Sequence, residues 1–224
     1  MPHTEQFFAD MAGENRQVAL LLAQVGASPT ELQLITQIAE YDEAASGLRP
    51  IKSYIIRVLG VLEHRVVNFG TTVNEVQILE EHPLLYEYTQ KPTAVFFRGD
   101  VPNPDALVMD IAQAHATTFF PWRHFPHYLN TEQSLKSLVE AGGGLLGQMP
   151  APLANSLIKV LEHHGLEHKI AEGEPYIKQH DNPALLQTAL KVLLFGKSYF
   201  VAYGFSIQEM KGRNVRDDVE DTTS

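Results

Sequence analysis

The spacing of apolar residues changes several times along this chain, and each change predicts an element boundary. Over residues 5–25, Phe7, Phe8, Met11, Val18, Leu21, Leu22 and Val25 recur near helical spacing, which predicts a helix despite Gly13. Gly26 closes it. Ser28-Pro29-Thr30-Glu31 then reads as a helix start: Ser28 as cap, Pro29 at the first helical position, and Glu31 completing a capping box. The second helix carries Leu32, Leu34, Ile35, Ile38 and Ala39 as its apolar stripe and ends at Gly47 and Pro50.

Residues 51–67, IKSYIIRVLGVLEHRVV, are dense in Ile, Val and Leu and predict a strand bent at Gly60. Asn68-Phe69-Gly70 marks a turn. Val76 and Ile78 alternate with polar Glu75 and Gln77, the pattern of a half-buried strand. His82-Pro83 interrupts it, and TAVFFRGD gives another strand between Pro92 and Gly99-Asp100. Successive strands with short connections predict an antiparallel meander.

Helical spacing returns after Pro102. Asn103-Pro104-Asp105 is a cap followed by proline, and Leu107, Val108, Ile111, Ala112 and His115 share one face. In FFPWRHFPHYLN, Pro121 and Pro126 rule out a regular helix. Further helices are predicted from Asn130 or Thr131 to Val139, and from Pro150 and Pro152 with Leu153, Leu157, Ile158 and Leu161. A last one starts at Pro183, with Leu185, Leu186, Ala189, Leu190, Leu193 and Leu194. From Ser198, Tyr199, Val201, Tyr203, Phe205 and Ile207 alternate with smaller neighbours, which predicts a strand. Residues 211–224 read as a disordered acidic tail. The predicted fold is α+β, with an antiparallel sheet of about four or more strands packed against several helices in one domain over residues 1–210.

Composition narrows the partners. The 224 residues carry a formal charge of −10, with a pI near 5.4, and Lys and Arg are scattered. That sign argues against a nucleic-acid partner. The absence of cysteine excludes disulfides and thiolate sites. No apolar run approaches membrane-spanning length and no signal peptide is apparent at the N-terminus, so a cytoplasmic location without membrane contact is expected.

Several motifs invite chemistry. Gly142, Gly144 and Gly147 have the G-x-G-x-x-G spacing, but a helical pattern precedes them where a dinucleotide site needs a strand. The stretch reads as a helix cap at Gly142 or Gly143, a flexible inter-helix loop and a proline-started helix, so no nucleotide cofactor is expected. Gly196-Lys197-Ser198 resembles the end of a P-loop, but Lys191 stands where the partner glycine belongs and a strand follows. No G-x-S-x-G elbow is present.

The histidines form two groups, His115, His124 and His127, and His163, His164 and His168. With Glu162 or Asp110 they suggest a metal-dependent hydrolase as an alternative; the plainer reading is surface histidines and a helix broken at Gly165. The 119–129 segment holds the only tryptophan, Trp122, beside Arg123 and His124, among several aromatic rings. Trp, Tyr and Arg dominate binding hot spots; equally, these rings can plug the core. The expectation is a binding or regulatory domain for a small anionic or aromatic ligand or a protein partner. Its candidate site comprises Trp122, Arg123, His124, His127, Tyr128, Arg98, Gly142, Gly143 and Gly144. Trp122 and Tyr128 stack, the arginines pair an anion, and the glycines admit it to backbone N–H groups. A structural, homo-oligomer-forming role is a third possibility.

Overall fold

The computed structural model describes residues 2–44, 46–67, 69–176 and 189–210. It corrects the expected fold class: the described residues are mostly sheet, 44% strand against 27% helix, with two separate sheets and short helices in a minor role. Its internal contacts form two compact units, one running to Ile78 and resuming at Leu193, the other spanning Leu79–Val192. Among the described residues, no helix is long and apolar enough to cross a membrane.

In the first unit a helix, α1 (Pro2–Met11), precedes β1 (Arg16–Val25), β2 (Glu31–Asp42), β3 (Gly47–Arg65), β4 (Thr72–Val73) and β5 (Val76–Leu79). Far along the chain, β9 (Lys191–Phe195) and β10 (Ser198–Glu209) complete a curled seven-stranded sheet in the order β4-β1-β2-β3-β10-β9-β5. The helix predicted over 5–25 is present only as far as Met11, its later part being strand β1, and the second predicted helix is strand β2. In β2 the buried residues Leu32, Leu34, Thr36 and Ile38 alternate strictly, and Ile35 faces the other way. An apolar residue on each face imitated a helical stripe. In β1 the register shifts between Leu20 and Leu22, leaving Leu21 as a bulge. That extra residue converted a period of two into spacings that look helical. The supposed helix cap is the hairpin loop, closed by Glu31 N–H donating to Ser28 O at 3.0 Å; cap and turn residues are the same types. The strand over 51–67 is present as β3, distorted as expected near Gly60, where φ is +64° and Tyr203 covers the bare backbone. Of the helix predicted from Pro183, residues 183–188 lie outside those described, and the remainder enters β9. The 211–224 segment lies outside them entirely.

Phe7 from α1 is fully buried in this unit's core, its ring edge-on to Tyr54 at 5.1 Å. Asp10 fastens the helix. Its carboxylate accepts from Lys52 Nζ at 2.7 Å, from the Tyr54 hydroxyl, and from Gln6 Nε2 at 2.9 Å. Burial opposes the Asp10 charge, but these donors outweigh it and hold the carboxyl below its ordinary value. Burial and the Asp10 carboxylate push the Tyr54 hydroxyl up.

The second unit begins with a 3-10 turn (Pro83–Leu85) and α2 (Tyr86–Thr89), then β6 (Pro92–Arg98), α3 (Pro104–Phe119), α4 (Leu135–Glu140), β7 (Gly143–Pro150), α5 (Ala151–His163) and β8 (Glu167–Glu172). Its antiparallel sheet runs β7-β6-β8. Helix α3 starts as the sequence predicts, with the Asn103 side chain accepting from Ala106 N–H. It buries Leu107, Ile111, His115 and Phe119 at every fourth position. Helix α5 buries Leu153, Leu157 and Leu161, and both stripes meet Val95 and Phe97 of β6 in one core.

The glycine stretch is corrected. Gly142 does follow the end of α4, at φ +74°, but Gly143–Pro150 is strand β7 rather than a flexible loop. Gly143 lies against β6 so closely that a Cβ would stand 2.4 Å from the Phe97 carbonyl. The glycines serve a close strand approach, a need that mimics the spacing of a phosphate loop. The Gly196-Lys197 pair is the turn joining β9 to β10.

Candidate functional site

The proline-broken segment after α3 folds back along β7. Trp122 and Arg123 N–H groups donate to Phe119 O at 2.7 and 3.2 Å, and the Phe120–Pro121 and Phe125–Pro126 peptide bonds are cis. His115, buried in α3, holds the end of the segment: its Nε2 lies 3.0 Å from the His127 carbonyl, which makes that nitrogen the donor. Leu129 then forms a β-bridge with Gly147, and Asn130 donates from N to Leu146 O and from Nδ2 to Leu145 O. Tyr128 is pinned at φ +75°, a left-handed conformation that costs a residue other than glycine on the order of 1 kcal/mol.

This fold-back puts Tyr128 and Arg123 against Glu87 on α2. The Tyr128 hydroxyl donates to Glu87 Oε2 at 3.1 Å, and Arg123 Nη2 lies 3.4 Å from the same oxygen. The Arg123 side chain is 8% exposed and the Glu87 side chain 44%. A guanidinium so deeply buried requires a paired charge. Burial first, and the Glu87 charge next, push the Tyr128 hydroxyl above its ordinary value. Trp122 packs edge-on against His82 with centroids 5.2 Å apart, and His82 Nδ1 accepts from Leu84 N–H to start the turn that carries α2.

Two adjoining cavities share Glu87, Tyr128 and Gln148 in their walls. One, of about 190 Å³, adds Gln90, Pro92, Met149 and Pro150. The other, of about 560 Å³, runs along the 126–132 segment past Glu132 and Leu145. Together they form a cleft in which the carboxylates of Glu87 and Glu132, the side-chain amides of Gln90, Asn130 and Gln148 and the Tyr128 phenol are set among apolar surfaces.

Of the residues expected in a site, the structure brings Arg123 and Tyr128 together on Glu87 with His127 beside them in the cavity wall, whereas Trp122 lines neither cavity and packs on His82. His124 sits in the turn closed by His127 N–H donating to His124 O and is exposed. Arg98 is elsewhere: it ends β6, roughly 20 Å along the strand from the cleft residue Pro92, and pairs with Glu167 at 2.7 Å. Gly142 lies in the turn before β7, and Gly143 and Gly144 begin the strand, opposite Arg98 and Phe97. The sequence reading missed Glu87, His82 and Gln148. His82-Pro83 was visible as a chain interruption, but nothing local marks Glu87 as the partner of residues about forty positions on.

Among the described residues, no three His, Asp or Glu side chains are grouped to hold a metal ion. His164 Nε2 is 2.7 Å from Asp110, and Gly165, at φ +70°, separates it from His168 on β8.

Burial lowers the basicity of both His82 and His115, so each stays neutral below its ordinary value of 6.5. The unfolded chain then takes up protons that the folded second unit refuses, and stability is lost as pH falls below 6.5. Asp10 in the first unit has the opposite shift, and its contribution persists until pH falls below 3.8. Lowering pH from about 7.5 to about 5 is expected to speed amide exchange in α3 and β7 while leaving α1 and β3 protected, once corrected for intrinsic rates. Equal loss in both units contradicts this assignment.

No protein-family model matches the chain, and no curated protein or solved structure is significantly similar to it.

Proposed function

We propose that the chain is a binding module whose second unit holds a small ligand in the cleft over Glu87 and Tyr128. The observation that carries this is the pre-set polar trio of Glu87, Tyr128 and Arg123 at the junction of two cavities. Ligand sites are concave, mostly apolar and oriented by a few fixed polar groups. A tyrosine kept in a left-handed conformation within the wall fits that pattern, because such strain concentrates where geometry is used.

The chemistry favours a ligand with a hydrogen-bond donor or positive charge on an apolar body. Glu87 offers a half-exposed carboxylate, and Pro92, Met149 and Pro150 offer the apolar surface. The anion-binding version is weaker, since Arg123 is engaged by Glu87 and Arg98 by Glu167. A protein partner is the second reading, favoured by Phe120 at 77% exposure beside the cleft segment.

Aromatic amines and their matched carboxylates, titrated into the whole chain and followed by NMR, test the first reading. Amines are expected to shift Tyr128 and Gln148 resonances, and Glu87→Gln to weaken them about tenfold. Carboxylates that bind as well as amines, or an E87Q variant indistinguishable from the parent, overturn it.

A further inference from the structure

The curled sheet of the first unit does not close. Strand β4, at one end of the strand order, instead comes against the β9–β10 turn near the other end. The approach is close: a Cβ on Gly196 would stand 2.6 Å from Val73 Cγ1. Ser198 Oγ accepts from Val67 N–H at 2.8 Å and donates to Val67 O at 3.1 Å. Between these contacts the seam encloses a cavity of about 310 Å³. Leu20, Val73 and Phe195 supply apolar walls, and Thr71, Thr72 and Lys197 supply polar ones. Leu20 and Phe195 are otherwise buried, at 2% and 3% exposure. Lys197 is exposed and makes no ion pair among the described residues, and no carboxylate lines the cavity.

The Thr72 hydroxyl already donates to Gln17 Oε1, so the Lys197 ammonium, lining a pocket walled by leucine, valine and phenylalanine, is what makes the seam complementary to one negative charge on a hydrocarbon. We propose that this seam binds a small monocarboxylate, its carboxylate at Lys197 and its chain against Leu20 and Phe195. A cavity at the small end of the usual ligand-site range suits a chain of about six carbons. A hydrated inorganic anion would leave the apolar walls unused, and an amine would meet Lys197 as a like charge. This site is independent of the cleft in the second unit.

Hexanoate, butyrate, hexylamine and inorganic phosphate are titrated separately into the whole chain, methyl-labelled at leucine and valine. Hexanoate is expected to shift the Leu20 and Val73 methyls and to saturate in the millimolar range. Butyrate is expected to bind roughly tenfold more weakly, from the lost burial of two methylenes. Phosphate and hexylamine leave those methyls in place. Lys197→Met weakens hexanoate about tenfold without changing the unfolding temperature. Four outcomes overturn the proposal: no shift at about 20 mM hexanoate, equal shifts with phosphate or hexylamine, equal affinity for butyrate and hexanoate, or a K197M variant that binds like the parent. If K197M fails to fold, the chain-length and charge comparisons on the parent decide alone.

Discussion

Gly147→Ala is expected to destabilise the second unit by about 3 kcal/mol and to abolish ligand binding in the cleft. Gly147 stands on β7 opposite Val95 and is bridged on its other side by Leu129. A Cβ there would lie 2.2 Å from the Tyr128 carbonyl oxygen and 2.8 Å from Leu129 Cα. Both obstacles are backbone, so no side-chain rotation relieves them. The segment must lift off β7, giving up the Leu129 bridge and the Asn130 bond to Leu146 and withdrawing Tyr128 from Glu87. Denaturant unfolding measures the first effect. The loss of the Tyr128 and Gln148 responses to an amine probe measures the second. Stability within about 0.5 kcal/mol of the parent contradicts this packing.

The other large effect belongs to the first unit. Removing the Asp10 carboxylate leaves the fully buried Tyr54 without the acceptor for its hydroxyl. A buried hydroxyl stripped of its partner costs about 2 kcal/mol. Asp10→Ala is expected to destabilise by that order and to expose α1 to proteolysis, because the helix keeps its apolar contacts through Phe7, Phe8 and Met11 but loses its side-chain tie to β3. Asp10→Asn keeps an acceptor and is expected to recover most of the loss. An alanine variant as stable and as protease-resistant as the parent rules out the fastening role.

The sequence was most legible where the signal is local. The proline-led starts of α3 and α5, the β6 strand, the alternation of β10 and the broken 119–129 segment all follow from residues within a few positions of one another. It was least legible where a long-range partner decides. Leu32 to Ala39 satisfies helical and strand spacing together, and pairing with β1 and β3 selects the strand. Gly143 looked like a loop residue until β6 lay against it. In the candidate site, the aromatic and arginine side of the cleft could be read from one dense segment, whereas Glu87 acquires its role only through the fold-back over Gly147.

Tyr128 belongs to two structures at once. Its ring packs on Phe119 of the core at 5.1 Å, while its hydroxyl reaches into the cleft. A side chain under both demands is constrained by folding before it is constrained by recognition. Diversification of ligand preference during evolution would therefore pass through Gln90, Gln148 and Glu132, which line the cavities without belonging to the core. Library design for altered binding has the same accessible route: vary the rim and leave the tyrosine and its glycine partner untouched.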